Sequence, residues 1–269
     1  MKFPKSLYHT IFLLFFSFAS LAQIDKKVLS PYPENASIYD VDRFGNVYIV
    51  KENQLFKYNS DGSLYAEYGN FQWGDIDAID ISNPLYILVF YRTFQRIEYL
   101  DNQLNTIRAA TDLSLLGLSD VSLIRSDKQQ NIWMYDQLLS QVFKYNIEEQ
   151  RIVNRSQMLS QLIRIKENPI QLSDDNYHVY LNIPGTGIVV FDQNAAYTKT
   201  LAFLNCRYFQ LDKNIFYSLE GNQIITYPLK EYSVDTLSVK IPKETVEFLI
   251  RNQNIIIEEH NKLVRYKLN

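Results

Sequence analysis

Polar turns alternate with short apolar runs along nearly the whole chain, and one run recurs as the same phrase six times. The phrase reads Leu55-Phe56-Lys57-Tyr58, Phe94-Gln95-Arg96-Ile97-Glu98-Tyr99, Val142-Phe143-Lys144-Tyr145, Ile188-Val189-Val190-Phe191, Ile224-Ile225-Thr226-Tyr227 and Leu263-Val264-Arg265-Tyr266. Upstream of each lies a second hallmark, a polar turn leading into a β-branched or aromatic run. Asp42-Arg43-Phe44-Gly45-Asn46 before Val47–Val50 and Asp127–Asn131 before Ile132–Tyr135 are examples. Such runs, bounded by Asp, Asn and Gly, read as strands and turns. With Tyr48, Tyr86, Trp133, Tyr180, Phe216 and Ile256 taken as equivalent, the unit repeats every 36 to 47 residues. A strand before each polar turn supplies an innermost element, Ser37–Val41, Ile76–Ile81, Val121–Arg125, Ile170–Leu172, Tyr208–Leu211 and Val246–Ile250. An outer strand follows the phrase, as at Ser63–Tyr68, Asn105–Ala109 and Thr236–Val239.

Four strands per unit, repeated six times, predict an all-β, six-bladed β-propeller. The last unit stops after its third strand, and Ile24–Leu29 supplies the missing fourth. The expectation is a ring closed by the N-terminal strand completing the last blade, which leaves no half-built sheet edge. An open β-solenoid or a two-sheet sandwich fits the regular repeat and complementary ends less well. Two stretches depart from the repeat. They are Thr111–Leu118 and Ser156–Lys166, the second reading either as a helical turn on the rim or as an outer strand with a long connection.

Residues 1–22 read as a signal peptide. Lys2 and Lys5 precede an apolar run, Ile11–Leu21, too short to span a bilayer comfortably, and Ser20-Leu21-Ala22 offers small residues for cleavage. Residues 23–269 then form a single exported domain, in the periplasm or associated with the cell envelope and not membrane-spanning after cleavage. It carries 25 basic and 30 acidic residues, with no basic run to attract nucleic acid or anionic lipid. Cys206 stands alone, so folding relies on an apolar core without an intramolecular disulfide. The richness in Asn, Ile, Lys, Phe and Tyr, with a signal ending in Ala-Gln, resembles exported proteins of Bacteroidota.

Asp42-Arg43-Phe44-Gly45-Asn46-Val47-Tyr48-Ile49-Val50, followed by Leu55-Phe56-Lys57-Tyr58-Asn59-Ser60-Asp61-Gly62, resembles the blade pattern of NHL-repeat propellers. Blade three keeps Asn131-Ile132-Trp133 but lacks both glycines. The resemblance implies a six-bladed fold. Similar propellers include lactonases, lyases, sugar-acid enzymes and interaction modules, so it implies no single activity.

In such a ring, ligands sit where the inner strands begin and where second strands turn into third. Those positions hold Trp73, Asp75, Asp77, Tyr91, Arg92, Asp120, Asn168, Arg207, Glu244 and His260, with Asp136, Asn182, Glu220 and Glu258 nearby. No catalytic residue or metal ligand is assigned among them and no cofactor is expected, although carboxylates converging on a channel are the ligand type Ca²⁺ prefers. Cys206 reads as a small buried hydrophobe. The expectation is a non-catalytic protein-interaction scaffold, monomeric by itself, whose partner is a protein or an outer-membrane or envelope complex. Two other readings stand beside it. One is a metal-dependent lactonase- or lyase-like enzyme acting on a sugar-derived substrate; the other is a small-ligand or glycan-binding sensor.

Overall fold

A computed structural model describes residues 26–29, 36, 38–83, 85–212, 215–228, 235–243, 245, 248–251, 254–260 and 262–267. The expected signal segment, Glu244, Val246 and Asn261 lie outside the described residues. The chain forms six four-stranded antiparallel sheets. Blade 1 comprises Ile38–Val41, Val47–Lys51, Gln54–Tyr58 and Leu64–Gly69; blade 2, Ala78–Asp80, Ile87–Tyr91, Arg96–Leu100 and Thr111–Asp112. Blade 3 comprises Val121–Ser126, Asn131–Asp136, Gln141–Asn146 and Arg151–Arg155; blade 4, Gln171–Asp174, His178–Ile183, Gly187–Asp192 and Tyr197–Leu201. Blade 5 comprises Tyr208–Asp212, Ile215–Glu220, Gln223–Pro228 and Asp235–Lys240. Blade 6 takes Leu249–Arg251, Asn254–Glu259 and Lys262–Lys267 from the end of the sequence, and Lys26–Val28 as its outermost strand. Lys26 pairs with Tyr266 and Val28 with Val264, and Leu29 N–H donates to the Leu263 carbonyl at 2.8 Å. The ring is closed as its sequence predicts.

Why the second and third strands are apolar without alternation follows from where their faces go. Tyr48, Val50 and Leu55 pack against Ile87, Val89 and Tyr91 of blade 2, whereas Val47, Ile49 and Tyr58 pack against Leu249, Ile256 and Leu263 of blade 6. Successive side chains thus enter opposite interblade layers, and both layers are dry. Six such clusters occur, one at each junction between neighbouring blades.

The polar turns are held by their own side chains. Asp42 accepts from the N–H groups of Phe44 (2.8 Å) and Asn46 (2.9 Å) and from Asn46 Nδ2 (2.8 Å). Asp127 repeats the arrangement with Gln129, Asn131 and Asn131 Nδ2. An aspartate that satisfies turn N–H groups locally fixes where one strand ends and the next begins.

Side chains also clasp neighbouring inner strands. Gln171 of blade 4 both donates to the Phe209 carbonyl (2.6 Å) and accepts from its N–H (3.0 Å) in blade 5. Gln210 of blade 5 does the same to Ile250 of blade 6, at 3.1 and 2.6 Å. Between blades 2 and 3 the clasp is Asp80, which accepts from Ser126 N–H at 2.5 Å and from Ser126 Oγ at 2.9 Å.

Three local expectations are corrected. The strand partner equivalent to Tyr48 in blade 2 is Val89, opposite Glu98, rather than Tyr86; in blade 5 it is Tyr217, opposite Thr226, rather than Phe216. The turn before blade 2's second strand runs through Tyr86, so the strand starts later, at Ile87. The outermost strand of blade 2 is Thr111–Asp112, and the expected Asn105–Ala109 contributes only an isolated bridge, Leu100 to Thr106. The two departures from the repeat become a 3₁₀ turn, Leu113–Leu116, and a single α-helical turn, Leu159–Leu162.

Candidate functional site

An up-and-down blade has two ends. Inner strands begin, and second strands turn into third, at one end, called here the connection end; the Asp-rich turns lie at the other. The described candidates Trp73, Asp75, Asp77, Tyr91, Arg92, Asp120, Asn168, Arg207 and His260 all fall at the connection end.

Their side chains do not converge on one point. Asp77 Oδ2 accepts from Arg92 N–H at 2.7 Å, and the Arg92 guanidinium lies 3.6 Å from Asp120, both side chains about two-fifths exposed. These two contacts tie the turn of blade 2 to the start of blade 3. Trp73 and Tyr91 belong to a second group built on Glu98, which is 7% exposed. Glu98 accepts from Trp73 Nε1 (2.8 Å), Asn70 Nδ2 (2.7 Å) and Tyr68 OH, and Tyr68 OH lies 3.2 Å from Tyr91 OH. The Arg96 guanidinium stacks 4.3 Å over the Trp73 ring and pairs with Asp112 at 2.8 Å. Arg207 donates to the carbonyls of Lys243 (3.3 Å) and Gly221. His260 is exposed, 3.8 Å from Glu259. Asp75 and Asn168 are exposed loop residues.

The neighbouring candidates are structural as well. Asp136 is buried and accepts from the N–H groups of Ser119, Asp120 and Leu139. Asn182 donates to the Cys206 carbonyl at 3.2 Å. Burial pushes the Cys206 thiol up to about 11, so it is a packed hydrophobe and not a nucleophile. Among the described residues, no three His, Cys, Asp or Glu side chains stand together in a way that could hold a metal ion. Asp77 and Asp120 are linked through Arg92, the first by its backbone N–H and the second by its guanidinium.

The feature that loop positions do not disclose is the axis. At the connection end it opens as a funnel of about 820 Å³. Its walls are Ile38, Ile79, Leu123, Ile124, Ile170 and Leu172, while Asp77, Arg207, Glu258 and His260 stand at its rim. Two further lining groups, Ser122 Oγ and Thr245 Oγ1, are buried without a hydrogen-bond partner. Ser122 lies on the inner strand of blade 3, and Thr245 in the connection between blades 5 and 6.

The other end of the axis is a charged cup of about 360 Å³, lined by Asp127, Asp174, Asp175 and Asp212 with Arg125 and Lys128. Along blade 3 the funnel gives way to the cup between Ile124 and Arg125. Arg125 Nη1 lies 3.6 Å from Asp80, whose side chain is 1% exposed. Burial drives the Asp80 carboxyl up, but Arg125 and the N–H and hydroxyl donors of Ser82 and Ser126 outweigh it and hold Asp80 below the usual range. The charge of Asp80, and more weakly those of Asp40 and Asp174, keep Arg125 protonated against its burial. Asp174 is pushed the other way, upward, by burial and by its acidic neighbours Asp127 and Asp175.

No family model matches the chain, and no curated protein matches it. Solved structures do. A streptogramin B lyase is 14% identical over 89% of this chain and 81% of its own, with a TM-score of 0.63. A catalytically inactive virginiamycin B lyase from Staphylococcus aureus, solved with quinupristin, is 13% identical over 92% of this chain and all of its own, with a TM-score of 0.64. The Pan2 WD40 domain of Neurospora crassa is 12% identical over 87% and 75% of the two chains, with a TM-score of 0.60. At these identities the likeness is one of fold. The same ring carries an enzyme in one neighbour and a WD40 domain in another.

Proposed function

We propose that the protein is an exported, non-catalytic interaction propeller of the periplasm or cell envelope, presenting its connection end to a protein partner. One observation carries the reading. Large apolar side chains stand exposed on the loops of that end: Phe71 (81%), Phe94 (46%), Leu115 (84%), Leu138 (70%), Met158 (42%) and Leu204 (50%). They come from the connections or turns of blades 1 to 4, and Phe94 packs edge-on against Trp73 at 5.6 Å. Of the charged side chains around them, Arg92, Arg96, Asp112 and Asp136 are engaged in fixing loops. A rigid rim of aromatic and aliphatic groups on a polar frame is the composition of an interaction surface. Export rests on the apolar N-terminal segment of the sequence.

The test is co-purification of tagged protein from envelope extract of its own host, with Phe71→Ser/Leu115→Ser and Phe94→Ser/Leu138→Ser variants alongside. A stoichiometric partner retained by the native protein and lost from the variants is expected. A monomer without a stoichiometric partner, or a partner held equally by the variants, would overturn the reading. The competing lactonase- or lyase-like reading requires three or four of Asp77, Asp120, Asn168, Arg207 and Glu244 to cluster within ligand distance; one equivalent of tightly held calcium or zinc in the purified protein would favour it instead.

A further inference from the structure

We propose that the axial funnel is a binding site for a small amphiphile, an apolar body ending in an uncharged hydrogen-bonding head. The inference goes beyond the partner-binding reading and does not rest on it. Three observations fix the ligand class. The first is size: a cavity of about 820 Å³ falls within the range of small-molecule sites. The second is the wall. Below the rim Ile79, Ile124 and Leu172, contributed by three blades, form an aliphatic wall beside Gln171, whose amide is already bonded to the Phe209 backbone. A charged group inserted there would lose its hydration without a partner, so the inserted body is uncharged.

The third is the head. Asp77 is committed to Arg92 N–H, and Arg207 to two backbone carbonyls. The hydroxyls of Ser122 and Thr245 have no partner, and Thr245 is 3% exposed. Buried hydroxyls are rarely left unmatched, and each can both donate and accept. A hydroxyl, amide or carbonyl head seated against Thr245 would satisfy that hydroxyl. The apolar tail would then point toward Ile124, short of Arg125.

The probe is the neutral fluorescent dye 1-aminoanthracene, displaced by decan-1-ol, decanoate or decylammonium. One saturable dye site is expected, with decan-1-ol effective at about five-fold lower concentration than either charged decyl compound. Thr245→Val keeps the side-chain shape and removes the hydroxyl. It should weaken decan-1-ol by about 2- to 10-fold, the range of a single hydrogen bond, while raising the urea midpoint, because an unmatched buried hydroxyl is gone. Ile124→Trp should abolish the dye site by filling the funnel; if that variant does not fold, Thr245→Val carries the test alone. Non-saturable dye uptake, equal displacement by the three decyl compounds, or a Thr245→Val protein with unchanged decan-1-ol affinity would each overturn the proposal.

Discussion

Replacing Arg125 by Met removes the cation beside Asp80 and leaves Asp80 buried. Asp80 is 1% exposed and loses a guanidinium 3.6 Å away, yet keeps its bonds from Ser82 N–H (2.8 Å), Ser126 N–H and Ser126 Oγ. Breaking a buried ion pair from one side costs about 3–5 kcal/mol. Arg125 retains 32% exposure and Asp80 retains three donors, so about 2–3 kcal/mol is expected at pH 7. Asp80→Asn alone removes the charge but also weakens the clasp on Ser126. The double variant should therefore be less destabilised than the sum of the two, by at least about 1 kcal/mol.

The pH dependence carries a sign. In the native protein Asp80 is depressed below its unfolded value, so its stabilisation is full above the ordinary carboxylate range and is lost as pH falls through the lower folded value. In Arg125→Met, burial acts unopposed by the cation and raises Asp80. That penalty is present at neutral pH and relieved as pH falls. The gap between native and variant should shrink between pH 7 and pH 4. Unfolding in urea, which leaves ionic strength unchanged, measures it at both pH values. A coupling below about 0.5 kcal/mol at pH 7, or a gap that does not narrow on acidification, would refute the argument that Arg125 and Asp80 form one buried unit.

Further expectations follow from single contacts. Leu29→Pro removes the N–H that bonds Leu263 in the closing blade, costing at least about 1 kcal/mol, or about 2–4 °C in Tm for a chain of this size; an unchanged thermal melt would place closure elsewhere. Gly187→Ala should cost more than about 2 kcal/mol, since at φ +118° its Cβ would lie 2.3 Å from the Leu201 carbonyl oxygen. Gly117→Ala, with φ +78° and open space around it, should cost only about 1–2 kcal/mol, and denaturant midpoints that reverse this order would contradict both assignments. Cys206 should resist a disulfide-exchange reagent at pH 8 in the native state and react as one equivalent only after denaturation; stoichiometric native labelling within a minute would refute its burial.

The ring was legible in the sequence because its strands are buried on both faces. Continuous apolar runs with aspartate-capped turns between them are what six interblade layers demand, and Lys26–Val28 fills the vacancy that the last unit leaves. The same continuity hid the register. Leu85–Tyr91 is almost uniformly apolar, so nothing in the letters marks Val89 rather than Tyr86 as the partner of the third strand. The described candidate residues do lie together at the connection end, but a position gives no direction to a side chain. Arg92 could have faced the axis and instead bridges Asp77 and Asp120. A signal for the interior charges was present in the phrase itself. Its penultimate position holds Lys57, Glu98, Lys144 and Arg265, and the first three are buried. Lys57 Nζ reaches the Asn102 carbonyl at 2.6 Å, and Lys144 Nζ pairs with Asp127 at 3.4 Å and reaches Gln193 Oε1 at 3.0 Å. A charge that recurs inside an apolar phrase is an interblade tie, and counting it as a solvated face misses that.

Where the repeat is broken, the axis acquires its character. At the level of the inner strands where blades 1, 2, 4, 5 and 6 place Asp40, Ile79, Ser173, Gln210 and Leu249, blade 3 places Arg125. One basic side chain drawn toward Asp80, with Asp40 and Asp174 in its field, gathers charge at the Asp-rich end. It also leaves Ile124 and its neighbours above it free of charge. The cation and its carboxylates meet below Ile124, while above it Ile79, Ile124 and Leu172 form an aliphatic wall with the unpartnered hydroxyls of Ser122 and Thr245 beside them. Substitution of Arg125 should accordingly alter the binding of an uncharged probe in the funnel, by letting water and the charge of Asp80 be felt from below, even though Arg125 lines only the opposite cup.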